Sequence, residues 1–294
     1  MLPLLFGGYV FKKLFIFSLF YISALISNSA QAVYFCGEVL KKDDITVVLL
    51  GDIHLDKKNK TITNQQVNDL ISIAKKINAF WLIEDTLHLH NITTEYIHHS
   101  ELSGILTKLG LLHCSPLGNF CKILQNNSIS FINSECRGPD IDIIGLYELV
   151  FKKLKIFPFL YENKIIQNQL SSIQSSLLSC FSLKDRINLQ KNIDKNKTTL
   201  FELNLFCDFY YELLSNNHKI FVINCGAAHI PPLVDLIKSI LDFKQVAYYK
   251  TNFRDQLYAY RDNKITATEF EKAQGLDLPK FFDKYVFNQP RSKL

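Results

Sequence analysis

The sequence predicts an α/β fold: a largely parallel central sheet flanked by helices, with a helical insertion or cap at about residues 145–217. Three observations carry this. Ile45–Leu50 is a continuous β-branched and aliphatic run, the pattern of a strand buried on both faces. Lys219–Asn224 repeats that pattern late in the chain. Both runs continue into Gly-x-x-His, as Gly51-Asp52-Ile53-His54 and Gly226-Ala227-Ala228-His229, and then into helical sequence.

The elements follow in order. After the first strand, Gly51–Lys60 reads as a polar loop. Thr63 with Gln66 three residues on is a capping-box pattern. Val67, Leu70, Ile71, Ala74 and Ile77 then recur at helical spacing. Ala79–Ile83 is the next strand and ends in Glu84-Asp85, which makes a βαβ unit and implies a parallel pair. Residues 86–128 read as helices and loops, with breaks at Gly104, Gly110 and Pro116-Leu117-Gly118. Ile129–Asn133 is a third strand, running into Ser134-Glu135-Cys136-Arg137. The stretch 145–217 holds no strand pattern and reads as two to four helices with polar breaks near Asn163 and Lys191–Lys197. Pro231-Pro232 open a helix through Leu241, since proline is tolerated in the first turn. Gln245–Tyr249 is a fifth strand and completes a second βαβ unit. Beyond 250 the chain is polar, with a short helix near 266–273.

The N-terminal 32 residues read as a secretory leader. Lys12 and Lys13 precede the apolar run Leu14–Ile26, and Ala30-Gln31-Ala32 fits a small-residue cleavage site. Residues 33–294 are then one α/β domain, exported to a periplasm or the exterior, with the membrane engaged only through an uncleaved leader. The chain is 48% hydrophobic, enough for one large domain. Its formal charge of +5 is spread out, with no basic stripe carrying interleaved aromatics, which argues against a nucleic-acid partner. Seven cysteines occur without a C-x-x-C pair. They read as small buried apolar residues or, in an exported protein, partly as disulfides.

Carboxyl ends of parallel strands open onto a shared crevice. Four strands deliver polar groups there: Asp52 and His54, Glu84 and Asp85, Glu135 and Arg137, and His229. Unpaired carboxylates are costly to bury, so their recurrence at one sheet end predicts a common site. Histidine nitrogens with carboxylate oxygens suit Zn²⁺, Mn²⁺ or Co²⁺. A metal held by His54, Glu84 and His229 would lower the pKa of a bound water. Without a metal, the same groups serve as general acid and base. Glu135 and Arg137 would orient substrate or stabilise charge, Arg137 by a bidentate hold on an anionic group. His88 and His90 stand in reserve close after Glu84. No Walker loop, G-x-S-x-G elbow or G-x-G-x-x-G is present.

The segment Val48-Leu49-Leu50-Gly51-Asp52-Ile53-His54, the helix opening at Asn64-Gln65-Gln66 and the strand ending in Glu84 resemble the superfamily of Tiki/TraB, erythromycin-esterase-like and ChaN haem-binding proteins. Val222-Ile223-Asn224-Cys225-Gly226-Ala227-Ala228-His229-Ile230-Pro231 is similar to its second G-x-x-H. Asp52 stands where many members have Glu. The resemblance implies an exported metal-dependent hydrolase of a peptide or small ester. His54, Glu84, His229, Glu135 and Arg137 fall on its catalytic positions. It implies haem binding as the alternative function. Asp52-Ile53-His54 also resembles the D-x-H opening of calcineurin-like metallophosphoesterases, whose G-N-H and final G-H-x-H motifs have no counterpart here.

Overall fold

A computed structural model describes residues 31–55, 60–84, 124–134, 143–180, 186–215, 217–270 and 273–287. It contains a six-stranded sheet. In chain order the strands are β1 (Gln31–Lys42), β2 (Ile45–Leu55), β3 (Ala79–Ile83), β4 (Phe131–Asn133), β5 (Ile220–Gly226) and β6 (Lys244–Lys250). Their spatial order is β4-β3-β5-β2-β1-β6. The α/β class read from the sequence is what the structure has: β4, β3, β5 and β2 run parallel. β1 joins β2 and β6 antiparallel.

Alternation along the strands fixes the two faces. Val47 and Leu49 of β2, Phe80 and Leu82 of β3, and Phe221 and Ile223 of β5 pack into one core. Val48, Leu50, Trp81, Ile83 and Val222 pack into the other. This is the period-2 pleat of strands buried on both sides. The first core is covered by α2 (Ile143–Ile156), α3 (Pro158–Tyr161), α4 (Lys164–Cys180), α5 (Arg186–Ser215), α6 (Ile230–Leu241), α7 (Phe253–Arg261) and α8 (Ala267–Phe270). The second is covered by α1 (Lys60–Lys76) and α9 (Leu278–Phe282). Among the described residues no helix is long and apolar enough to cross a membrane.

Several local expectations are corrected. Neither βαβ unit joins neighbouring strands. β5 inserts between β2 and β3 and pairs with both, so the expected β2–β3 pair is bridged by a strand from far along the chain. β6 runs parallel in direction to β5 but lies beyond β2 and β1. Strand β2 does not stop at Leu50; it continues to Leu55 because β1 pairs with it as far as Gln31↔Leu55. The helix after it starts at Lys60, so Thr63 is not its cap. The polar run at 191–197 does not break α5, which is continuous over Arg186–Ser215. That run contains no glycine or proline, and Asn196 donates to Ser176 Oγ on α4 at 2.9 Å. Residues 1–30 of the expected 32-residue leader and the stretch 86–123 lie outside the described residues.

Gln66, expected in a capping box, has a different task. Its Oε1 accepts from the Tyr34 backbone N–H at 2.9 Å. Its Nε2 donates to Tyr34 O at 3.0 Å and to Leu276 O at 2.8 Å. One buried side chain thus ties α1, β1 and the C-terminal segment together. Gln66→Ala is expected to cost about 3 kcal/mol, roughly 1 kcal/mol per neutral hydrogen bond lost. Urea unfolding of the variant against the parent chain measures it, and a change below roughly 1 kcal/mol would show that water replaces these bonds.

Candidate active site

The two Gly-x-x-His segments occupy different places. Gly51-Asp52-Ile53-His54 lies within β2, whereas Ala227–His229 forms a 3₁₀ turn between β5 and α6. They are also one residue out of step, since Gly51 lies opposite Cys225 and Asp52 opposite Gly226. The expectation that each histidine sits at a strand-to-helix junction holds for His229 alone. His54 is two residues past Asp52 in β2, backbone to backbone with Ala32. Its side chain lies outside the described residues, as do Asp85, His88, His90, Glu135 and Arg137.

The two glycines differ in what they allow. A Cβ on Gly51 would collide with Cys36 Sγ and meet Ala227 Cα at 3.0 Å. The missing side chain therefore lets the 3₁₀ turn sit directly on β2. A Cβ on Gly226 would meet Glu84 Oε2 and His229 Cδ2 at 3.6 Å and Asp52 Oδ1 at 4.0 Å, ordinary contact distances. Gly226 marks the middle of the cluster: Asp52, Glu84 and His229 all come within 4.0 Å of that one position.

Glu84 is held at both ends. Its backbone N–H donates to Asn224 O at 2.9 Å. Its Oε2 accepts from the Gly226 N–H at 2.6 Å, which fixes where Oε1 lies. Oε1 is 3.8 Å from His229 Nε2. The other ring nitrogen, Nδ1, is 3.0 Å from Glu202 Oε1. Phe201 meets the imidazole edge-on, with ring centroids 4.8 Å apart. The carboxylate of Glu202 requires Nδ1 to be the donor, so Nε2 is the nitrogen turned toward Glu84. All three side chains are nearly enclosed, at 8% exposure for His229, 11% for Glu84 and 8% for Glu202. Burying ions costs several kcal/mol each, which packing alone does not repay. The three side chains form a nearly enclosed carboxylate–imidazole–carboxylate row.

Of the residues expected from the sequence, the structure brings Glu84 and His229 together, with Asp52 alongside. Glu202 was not anticipated. It stands on α5, inside the stretch that reads as a helical insertion, where no local pattern links it to the sheet. A signal for it exists. Leu200, Phe201, Leu203, Leu205, Phe206, Cys207 and Phe209 are all buried, as are Glu202, Asn204 and Asp208, so this part of α5 is enclosed around its whole circumference. An acid inside such a segment has no route to water and must have an internal partner. The same logic accounts for Asp208 and Asn204, which both accept from Lys153 Nζ at 2.7 Å. Asn204 Nδ2 also donates to Ser134 O at 2.8 Å, tying α5 to the end of β4 immediately before Glu135.

Cys36 and Cys225 flank Gly51 on the neighbouring strands. Both are free thiols, as is Cys207. Burial, reinforced by Glu38 and Asp52, pushes the Cys36 thiol up to about 11. Burial does the same to Cys207, to about 12, and raises Cys225 well above its ordinary range, with Glu84 and Asp52 adding to it. Thiols in this state are poor nucleophiles at neutral pH. Cys114, Cys121 and Cys136 lie outside the described residues. Among the described residues no group of three or more His, Cys, Asp or Glu side chains is arranged to hold a metal ion. His229 Nε2 and Glu84 Oε1 supply two donors, and the Glu202 hold on Nδ1 is the outer support that metal-binding histidines receive. The chain matches no protein-family model and no curated protein.

Proposed function

We propose that this chain is an exported hydrolase of peptide or small ester bonds, working at the carboxyl ends of β2, β3 and β5. The Glu202–His229–Glu84 row carries the reading. With Nδ1 committed to Glu202, His229 Nε2 takes a proton from an attacking water, and Glu202 stabilises the imidazolium that forms. Glu84, anchored through the Gly226 N–H, is 3.8 Å from Nε2, close enough for both to contact one oxygen atom and orient it. Asp52 adds negative charge beside the same position.

A divalent metal (Zn, Mn or Co) is the second form of this reading, favoured by the spacing of Nε2 and Glu84 Oε1. His229 Nε2 and Glu84 Oε1, 3.8 Å apart, would be the nitrogen and oxygen donors that hold it. Such an ion would supply a water of lowered pKa. His54, in the same strand as Asp52, is proposed as the third ligand, and Glu135 and Arg137, following β4, as groups that bind the substrate. The resemblance to Tiki/TraB and erythromycin-esterase-like proteins points the same way.

The test is elemental analysis and an absorption spectrum of the purified protein, beside ester and peptide hydrolysis by the parent chain and His229→Ala. Hydrolysis that His229→Ala abolishes is the expected result, with chelator sensitivity deciding between the two forms. A Soret band on haem titration, with no hydrolysis by the parent chain, would replace this reading with haem binding.

A further inference from the structure

A cavity of about 310 Å³ opens beside the hydrolytic row but is not lined by Glu84, Glu202 or His229. Its floor is Phe35, Cys36 and Glu38 of β1. Two of these, Phe35 and Cys36, face it together because the β1–β2 register shifts between Tyr34 and Cys36. One wall is Ile230 and Pro231 at the start of α6, and the other is Gln245, Tyr248 and Lys250 of β6, with Arg254 of α7 at the rim. Its two ends differ in charge. Lys250 lies opposite Cys36 in the β1–β6 register, and Arg254 lines the same cavity. Neither cation has a carboxylate partner among the described residues; Arg254 rests on the Tyr258 ring, 5.4 Å from its centroid. At the other end is the Glu38 carboxyl, 6% exposed, with Oε2 accepting from Gln245 Nε2 at 2.9 Å. Glu38 is two residues along β1 from Cys36, about 7 Å at strand rise.

We infer that this cavity binds a small organic acid: its anionic group between Lys250 and Arg254, its apolar body on Phe35, Ile230 and Pro231, and a hydrogen-bond donor directed at Glu38. Three properties of the cavity support this. Its volume is at the small-ligand end of pocket sizes. Charge-assisted bonds from a guanidinium and an ammonium are the strongest single recognition elements available for a carboxylate or phosphate. A buried carboxyl, which burial pushes up from its ordinary range, gains most from an incoming donor. Pro231 and Pro232 remove two backbone N–H groups from the first turn of α6, so the side-chain cations and not the helix end supply the anion's partners. The inference does not depend on the hydrolase reading.

Calorimetric titration of the full chain with 4-hydroxybenzoate, phenyl phosphate and neutral 4-hydroxybenzamide tests it. Saturable binding of an anion is expected, and the tighter of the two names the head group. The amide is expected not to bind. The double variant K250Q/R254Q should lose at least about tenfold in affinity, the scale of one charged hydrogen bond, and both side chains are exposed enough for the fold to survive. Absence of saturable binding by both anions, equal binding of the amide, or undiminished binding by the double variant would each overturn the proposal.

Discussion

Glu202→Gln is expected to lower the rate of hydrolysis by about 10²–10⁴-fold, the usual contribution of a positioned acid–base group, with little change in melting temperature. The glutamine oxygen can still accept from His229 Nδ1, so the ring keeps its place. What is lost is the negative charge that stabilises the imidazolium. Stability measurements give a second arm that needs no substrate. His229→Ala leaves Glu202, 6% exposed, without its imidazole N–H, and losing a hydrogen bond to a buried charged group costs about 1.5–3 kcal/mol. Removing both partners should cost less than the sum of the single replacements, because residues in contact couple. Strict additivity in that cycle would mean that the 3.0 Å contact between them carries no energy.

The second large effect concerns the glycines, which look equivalent in sequence and are not. Gly51→Ala is expected to destabilise the fold by about 1–3 kcal/mol, the usual range for overpacking. The obstruction on one side is the backbone of Ala227, which cannot rotate away. Relief must come from moving the 3₁₀ turn, and His229 moves with it, so activity should fall further than stability alone explains. Gly226→Ala places its methyl in ordinary contact, on a backbone with φ −56 and ψ 137 that any residue adopts. It should be neutral or stabilising by up to about 1 kcal/mol through the unfolded chain. Circular-dichroism melting of the two variants separates them. Equal losses would remove the close approach at Gly51 as the reason for that glycine.

The parallel strands were legible because their residues alternate between two apolar cores and so appear as continuous apolar runs. Glu84 and His229 were legible because they directly follow such runs. What was not legible depends on partners distant in sequence. β1 takes its place from pairing with β2 and with β6, some two hundred residues later, and its alternation is interrupted at the Tyr34/Cys36 irregularity. The extension of β2 through Asp52 and His54 exists only because β1 covers it. The insertion of β5 between β2 and β3 is invisible to any local pattern. Glu202 shows the same limit in the site itself: its helix identifies it as a buried acid, but only the packing of α5 beneath the 3₁₀ turn identifies its partner.

The most direct test of the site is the protonation of the His229 ring. In ¹⁵N-labelled protein, assigned by difference from His229→Ala, the imidazole spectrum at neutral pH should show a proton on Nδ1, shared with Glu202. A ring carrying its single proton on Nε2, with Nδ1 bare, would contradict the arrangement on which the proposed hydrolysis rests.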